Sequence, residues 1–361
     1  MDKHSEHFDP DYAVAPGETL REAMAERGMA QKELADRTEL ARKTINEILK
    51  GKAPISPETA AKLALVFAIP AEYWTNLEAK YQQRKALLER RREMAEVAGW
   101  HKKFPYTELA KRELVLVTRD AVEKVEQLCR FFGVSSPDSF DTVVLAPIQA
   151  RFKQSPKVAH KPFIIATWLQ AARIASRKIE ADSYNPAAFA NALSQLRSLS
   201  AEKTEPQQQI QEHLAKAGVV VVFVREFAGA AVSGAAFWES GRPVIALTRC
   251  GKRLGKFWFT FFHEAMHILH HGKSGMFVDM DQSGWDKLRE ESDANRWAAQ
   301  LLIPHKHDKQ LAAMTTIQEV DAFAMNLNIH RDIVVHRVER LQKDYKKWAP
   351  YRTRLAWEEP R

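Results

Sequence analysis

Residues 257–272, FWFTFFHEAMHILHHG, carry the most concentrated chemistry in the sequence. At the centre of this stretch, His263, Glu264 and His267 form the pattern H-E-x-x-H. Residues four apart lie one above the other on one face of a helix. Both imidazoles can therefore bind one metal ion while Glu264 lies beside them to transfer a proton. The pattern favours the centre of a zinc hydrolase.

The residues around this pattern predict a buried helix. Apolar side chains recur at spacings of three and four, which confines the polar side chains to one stripe. These apolar residues are Phe257, Trp258, Phe261, Phe262, Ala265, Ile268 and Leu269. A histidine-rich helix end without a metal is the plainer interpretation in a chain with 13 histidines. However, two histidines and a glutamate on such an apolar helix would need partners inside the protein.

A catalytic zinc ion takes three protein ligands and a water molecule, so a third ligand must come from elsewhere in the chain. The metzincin continuation is absent, because His270 and Lys273 occupy the positions where that pattern requires glycine and histidine. A carboxylate on a following helix is the other common solution.

Residues 287–303, KLREESDANRWAAQLLI, predict such a helix, which is closed by Pro304. Glu290 and Glu291 both fall within or near its apolar stripe, whereas Asp293 projects away from it. The helical period alone therefore leaves two candidates for the third ligand.

Together, HEAMHILHHG and ESDANRWAAQLLIP resemble the ImmA/IrrE family of metallopeptidases, whose second motif is E-x-x-A-x-x-F-A-x-x-L-L-x-P. The resemblance implies that His263, His267 and Glu291 hold Zn2+ and that Glu264 is the catalytic base. Trp297 replaces the usual phenylalanine of the motif. Because relatives cleave a repressor of the helix-turn-helix type, the resemblance also implies a protein substrate. That substrate would be a separate regulator or this protein's own N-terminal region.

Length and composition agree with a regulator of this kind. A chain of 361 residues is long enough for two or three domains, and a net charge of +8 permits a nucleic-acid partner without requiring one. No apolar run is long enough to cross a membrane and the N-terminus does not resemble a signal peptide, so we expect a cytoplasmic protein without a membrane partner. Cys129 and Cys250 are too few for a disulfide framework and are expected to be buried thiols.

The first 80 residues predict a bundle of about five short helices. Ser56 is a suitable helix cap and Pro57 suits the first helical position. Two of the short helices are joined by Thr38, Glu39 and Leu40, an arrangement typical of a helix-turn-helix module.

The helix that follows this turn is the candidate recognition helix. Long polar and cationic side chains on its outer face are suited to contact base edges, and Gln31 on the preceding helix is placed to contact a phosphate. The outer residues are Arg42, Lys43, Thr44, Asn46 and Lys50. A small helical bundle with a solvated basic face is the alternative interpretation.

Residues 15–81 resemble the XRE-type helix-turn-helix proteins of the HigA antitoxin group, through runs such as TINEI and EYWTNL. The resemblance implies a double-stranded DNA operator and makes a toxin a possible partner. We expect a homodimer, because two-fold proteins match two-fold operators. Glu39 and Ala41 replace the usual glycine and capping serine of the turn, and a non-glycine residue in a left-handed turn costs about 1 kcal/mol.

The remaining segments complete the predicted organisation. Residues 81–200 predict a helical linker or spacer. The runs AGVVVVFV, AVSGAAFW and RPVIALT predict three short strands directly before the metal-binding helix. The predicted class is α+β, mostly α. It comprises a helix-turn-helix domain at 1–80, the helical spacer, and a zincin-like metallopeptidase domain with a short sheet and C-terminal helices at 201–361.

These features predict an antitoxin-like repressor that carries a zinc-dependent endopeptidase domain. The competing class is a non-proteolytic antitoxin or autorepressor whose zincin domain senses a ligand or metal, or binds a toxin. The presence of Glu264 favours catalysis, because a sensor would not need it. His270 and His271 are expected to cap the helix end rather than to stabilise an oxyanion.

Overall fold

The structure is a computed structural model of the chain and describes residues 11–152, 161–201, 206–230, 232–248, 253–271, 277–280 and 289–354. Helices predominate and one small sheet is present, which confirms the predicted α+β, mostly α class. Within the described ranges, no helix has the length and apolarity that a membrane span needs. The contacts within the chain define two units, one of residues 1–99 and 119–126 and one of residues 100–118 and 127–361. The division into three domains stays a prediction.

The first unit contains a bundle of short helices followed by one long helix. They are α1 (Pro16–Glu26), α2 (Gln31–Thr38), α3 (Arg42–Leu49), α4 (Pro57–Phe67) and α5 (Ala71–Glu96). Their core consists of aliphatic and aromatic side chains, among them Leu20, Leu34, Ile45, Leu63, Phe67 and Trp74. As predicted, Pro57 opens α4 and the Ser56 hydroxyl accepts a hydrogen bond from the Thr59 amide. These contacts fix the bundle that presents α3.

The turn between α2 and α3 has the predicted left-handed residue. Glu39 has a φ of 55°, a conformation that favours glycine. Ala41, the residue before α3, makes no side-chain capping hydrogen bond. The helix-turn-helix module therefore forms without the two residues that usually stabilise its turn.

The second unit begins with helices. They are α6 (Tyr106–Lys111), α7 (Ala121–Phe132), α8 (Pro137–Phe140), α9 (Ala146–Phe152), α10 (Pro162–Ser176), α11 (Pro186–Leu199) and α12 (Gln207–Ala215), with a 3-10 helix at Ala98–Lys103 and a π-helix at Asp141–Leu145. The first half of α7 belongs to the first unit. Helices α11 and α12 share a hydrophobic core with the helices and strands that follow, through Phe189, Leu193 and Ile210.

A four-stranded sheet follows, in the order β1-β3-β2-β4. Its strands are β1 (Val220–Phe223), β2 (Val232–Glu239), β3 (Arg242–Leu247) and β4 (Phe277–Met280). β1 pairs with β3 in parallel, whereas β2 runs antiparallel to both β3 and β4. Ser240 and Gly241 both have positive φ, which suits the two-residue turn between β2 and β3. The three predicted strands are confirmed, and β4 is an additional strand.

The helix with the H-E-x-x-H pattern packs against this sheet. It is α13 (Leu254–His271), and it is followed by α14 (Arg289–Leu302), α15 (Asp308–Ala313), α16 (Ile317–Leu327) and α17 (Arg331–Gln342), with 3-10 helices at His305–His307 and Ala349–Tyr351. α13 contacts β2 and β3 as well as α14 and α17. The predicted apolar face of α13 is buried, with Leu269 half-buried. Cys129 is buried as predicted, whereas Cys250 lies outside the described residues.

Candidate functional site

Helices α13 and α14 bring three potential metal ligands together. His263 and His267 lie one helical turn apart on α13, and Glu291 lies on the first turn of α14. The Nε2 atom of His263 lies 3.1 Å from Nε2 of His267 and 3.1 Å from Oε2 of Glu291. The distance between His267 Nε2 and Glu291 Oε2 is 3.4 Å. The three atoms therefore form a nearly equilateral triangle.

The size of this triangle fits a tetrahedral metal ion. Zinc bound at ~2.0–2.2 Å in tetrahedral geometry separates its ligand atoms by ~3.3–3.5 Å. The observed separations of 3.1, 3.1 and 3.4 Å lie close to these values. Two imidazole nitrogens and one carboxylate oxygen are also a donor set that zinc accepts. His263, His267 and Glu291 could therefore hold a metal ion.

The three side chains and Glu264 are almost completely buried. Glu264 is 0% exposed, and the other three are 2% exposed or less. Burial alone would raise the pKa of Glu291, but hydrogen bonds and charge from His263 and His267 outweigh it and hold that pKa well below its usual value. The Glu291 carboxylate is therefore anionic near neutral pH, as a metal ligand must be.

Glu264 lies against Gly234, near the start of β2. A Cβ atom placed on Gly234 would come within 2.9 Å of both Cγ and Oε1 of Glu264, and within 2.9 Å of Cγ2 of Thr260. The pairing of β2 with β4 shifts register between Val232 and Gly234, as in a β-bulge. Glycine at 234 therefore leaves the space that the Glu264 carboxylate occupies.

Gly234 and Thr260 were not among the residues predicted to form the site. A glycine inside the apolar run AVSGAAFW was an available signal, because an isolated glycine in a strand often marks a close approach of another group. No local pattern marked Thr260, which is one turn before Glu264 on α13. Its proximity to Gly234 depends on the packing of α13 against the sheet.

An aromatic and cationic layer packs against His263, one of the potential metal ligands. The Phe259 ring stacks on His263 with a centroid distance of 6.4 Å, and the Arg340 guanidinium lies 5.1 Å from the Phe259 centroid. His336 packs against the same ring at 5.5 Å. Burial, followed by the positive charges of Arg340 and Lys256 among others, lowers the pKa of His336 to about 3. His336 is therefore neutral near pH 7.

Of the two histidines after the H-E-x-x-H pattern, the structure describes the side chain of His270 but not that of His271. The His270 ring lies against Trp297 of α14, with a centroid distance of 4.0 Å. The predicted capping role of His270 stays a prediction. The side chains of His271 and Glu290 lie outside the described residues.

The predicted DNA-contacting residues lie on α2 and α3. Gln31, Arg42, Lys43 and Lys50 are exposed, whereas Thr44 and Asn46 are half-buried; the inward residues Ile45, Ile48 and Leu49 are buried as predicted. The Lys43 ammonium lies 3.9 Å from Glu47 and stays 84% exposed, so it is available to a partner. Lys50 follows the last residue of α3, at the opposite end from Arg42.

The fold and the site define a class: a helix-turn-helix DNA-binding regulator joined to a metallopeptidase-like domain. Comparison with known families agrees. Residues 20–74 match the family model for helix-turn-helix domains, and residues 215–349 match the model for IrrE N-terminal-like domains. The helix-turn-helix-type transcriptional regulator YddM of Escherichia coli is 35% identical over 63 residues, which cover 18% of this chain and 67% of that protein. The chain therefore belongs to the helix-turn-helix family and carries an IrrE N-terminal-like domain.

Two solved structures are also similar to part of the chain. The antitoxin HigA of Pseudomonas aeruginosa with the higBA promoter is 30% identical, covering 21% of this chain and 83% of that chain, with a TM-score of 0.20. An addiction module antidote protein of the HigA family from Coxiella burnetii is 28% identical, covering 23% of this chain and 92% of that chain, with a TM-score of 0.22.

Proposed function

We propose that this chain is a transcriptional regulator that binds a DNA operator through α2 and α3 and hydrolyses a protein substrate at a zinc centre. His263, His267 and Glu291 would hold the ion. The observation that carries the proposal is the triangle of two Nε2 atoms and one carboxylate oxygen, with separations of 3.1–3.4 Å. Glu264 lies next to these ligands in the sequence of α13, where a general base is needed.

Each side chain of the site has a distinct task in peptide hydrolysis. When bound, zinc supplies a Lewis acid that lowers the pKa of water to about 7. Glu264 would accept a proton from the attacking water as the water oxygen adds to the peptide carbonyl carbon. Glu264 would then donate that proton to the amine as the C–N bond breaks. Close packing against Gly234 limits the positions that this carboxylate can adopt.

The DNA-binding part of the proposal uses the exposed face of α2 and α3. Arg42, Lys43, Thr44 and Asn46, at the N-terminal end of α3, would reach base edges in the major groove. Gln31 and Lys50 would contact the DNA backbone on either side. We expect a homodimer on an inverted repeat, because two-fold symmetry of the protein matches two-fold symmetry of the operator. The helix-turn-helix match over residues 20–74 supports DNA binding by this part of the chain.

The proposed substrate is a repressor of the helix-turn-helix type, or this protein's own N-terminal region. The match of residues 215–349 to an IrrE N-terminal-like domain supports a peptidase-type fold. A toxin is a possible further partner, since HigA antitoxins are among the similar structures. All of these partners would meet the protein in the cytoplasm.

One observation favours a second candidate, a non-proteolytic regulator whose metal centre senses a ligand or metal or binds a toxin. The three ligands and Glu264 are at most 2% exposed. A peptide substrate must reach the metal, and burial to this degree opposes its entry. A buried centre would suit a sensor that changes its DNA affinity when the metal binds.

A reporter gene behind the operator would separate these two candidates. If cleavage relieves repression, Glu264→Gln should leave operator binding intact and hold the reporter off under inducing conditions. If metal binding alone relieves repression, Glu264→Gln should induce normally and His263→Ala should not. Normal induction by Glu264→Gln would refute the proteolytic proposal.

A further inference from the structure

An exposed apolar pair lies between α6 and α7. Leu116 is 62% exposed and Val117 is 86% exposed. Among the residues that the structure describes, no other two consecutive large apolar residues are this exposed. Exposed apolar surface of this kind often marks a place where another protein surface binds.

The backbone of this segment is irregular and held at both ends. Residues 116–120 belong to no helix or strand. On one side, Val115 is buried and the Leu116 carbonyl accepts a hydrogen bond from the Tyr106 hydroxyl at 2.8 Å. On the other side, the Asp120 carboxylate accepts hydrogen bonds from the Val122 and Glu123 amides at the start of α7. The segment is therefore a short exposed connection between two fixed points.

The segment also lies at one of the three points where the chain passes between the two units. The chain passes from the second unit to the first between Thr118 and Arg119. A single cut at residues 115–119 would leave α1 to α5 on one fragment and α13 and α14 on the other. The proposed DNA-binding helices and the proposed metal centre would then lie on separate polypeptides.

We propose that residues 115–119 of this chain are a cleavage site for the peptidase centre, in the same chain or a second copy. The inference rests on the proposed function and names one substrate of the same centre. Irregular, exposed backbone can enter a peptidase site with little unfolding, since it has no helix or sheet hydrogen bonds to break. Leu116 and Val117 provide apolar side chains for a centre with aromatic neighbours, since the Phe259 ring stacks on the proposed ligand His263 and Trp297 lies against His270, which follows the H-E-x-x-H pattern.

The reaction is a simple hydrolysis. The C–N bond of one peptide in residues 115–119 breaks, and the water oxygen bonds to the carbonyl carbon. The other hydrogen of the water goes to the amine nitrogen, so the products are one carboxylic acid and one amine. Water is the only co-reactant, and no oxidant or reductant is needed.

The experiment uses the purified full-length chain with zinc, and intact-mass spectrometry to locate cuts. The wild type should yield two fragments that meet within residues 115–119, and Glu264→Gln should stay whole. The double variant Leu116→Lys/Val117→Lys should be cut at least about 10-fold more slowly, because a charged side chain is costly to move from water to a centre with aromatic neighbours. Met325→Lys is the matched control, since Met325 is an exposed apolar residue (80%) away from the segment, and it should be cut at the wild-type rate.

Two further arms distinguish failure of this inference from failure of the proposed function. Casein, an unfolded protein, serves as a general substrate for the wild type. If casein is cut but residues 115–119 are not, the inference is wrong and the peptidase proposal stands. If neither is cut, both fail.

A separate digestion measures how accessible residues 115–119 are to a protease other than the chain itself. In brief digestion of Glu264→Gln by subtilisin, residues 115–119 should be among the first positions cut. If the segment resists subtilisin as long as the helices do, it is too well ordered to be a substrate. That result would overturn the inference.

Discussion

If the chain is the proposed peptidase, Gly234→Ala should disable cleavage while leaving the three proposed metal ligands in place. The added Cβ would lie 2.9 Å from Cγ and Oε1 of Glu264 and 2.9 Å from Cγ2 of Thr260. Carbon atoms pack comfortably at ~3.5–4.0 Å, so these side chains must move by about 0.6–1 Å. Gly234 does not have positive φ, so alanine adds bulk without straining the backbone there.

The magnitude follows from the displacement. A misplacement of about 1 Å in a reacting group can cost about 100-fold in rate, whereas inserting one methyl into a packed core typically costs about 1–3 kcal/mol of stability. We therefore expect roughly a 100-fold loss of cleavage rate with about one zinc ion still bound per chain. Three measurements check this result: the cleavage rate, zinc content by atomic absorption, and thermal unfolding. Gly99→Ala is the control, because a Cβ at Gly99 meets nothing within 4 Å.

A second substitution tests the steric reasoning directly. Thr260→Ser removes the methyl group nearest to the added Cβ, so the double variant Gly234→Ala/Thr260→Ser should recover part of the lost rate. If Gly234→Ala cleaves at the wild-type rate, Gly234 does not set the position of Glu264. If it loses zinc together with activity, the substitution acts on the whole centre and the steric account is wrong.

Three further predictions concern the metal, the DNA and pH. Glu291→Ala should lose zinc while Glu290→Ala keeps it, as measured by metal analysis after dialysis; full retention by Glu291→Ala would place the third ligand elsewhere. Arg42→Ala should reduce discrimination between operator and random DNA by about 1–3 kcal/mol if Arg42 makes a bidentate base contact, as measured by binding titrations at physiological salt; equal binding of both DNAs by the wild type would exclude sequence reading. His336 has its pKa lowered to about 3, so between roughly pH 6.5 and 3 the unfolded chain binds a proton that the folded chain does not. The free energy of unfolding should therefore fall on acidification, by at most about 1.4 kcal/mol per pH unit from this group. Urea unfolding of His336→Gln should show a smaller dependence on pH; parallel pH profiles of wild type and variant would contradict the lowered pKa of His336.

Much of the fold follows from local signals in the sequence. Ser56 and Pro57 mark the start of α4, and the structure has both the cap and the boundary there. The turn at Glu39 is left-handed, as the resemblance to a group that usually has glycine at this position implied. Apolar residues recur at helical spacing over residues 257–269, and this period predicts α13 as a buried helix. Such features depend on neighbours in sequence, and the chain alone therefore specifies them.

The features that escaped prediction depend on tertiary placement. β4 is only four residues long, too short for an alternating pattern to be distinguished from chance. Glu290 and Glu291 are about 100° apart on a helix, so the helical period alone did not choose between them, and the prediction of Glu291 rested on the resemblance to the ImmA/IrrE family. In the structure, the packing of α14 on α13 brings Oε2 of Glu291 within 3.1 Å of His263. Contact between Gly234 and Glu264 likewise arises where a strand meets a helix 30 residues later in the chain.

The most direct test of the peptidase proposal incubates the wild type and Glu264→Gln separately with zinc and candidate repressors. The cleavage rate and the zinc content of the two proteins are then compared. Glu264→Gln removes the proton acceptor but none of the three proposed ligands, so both proteins should hold about one zinc ion per chain. Cleavage should fall by at least about 100-fold, the scale of general acid–base catalysis. Cleavage at the wild-type rate by Glu264→Gln would contradict the proposed role of this residue, and the absence of any zinc-dependent cleavage by the wild type would favour the sensor.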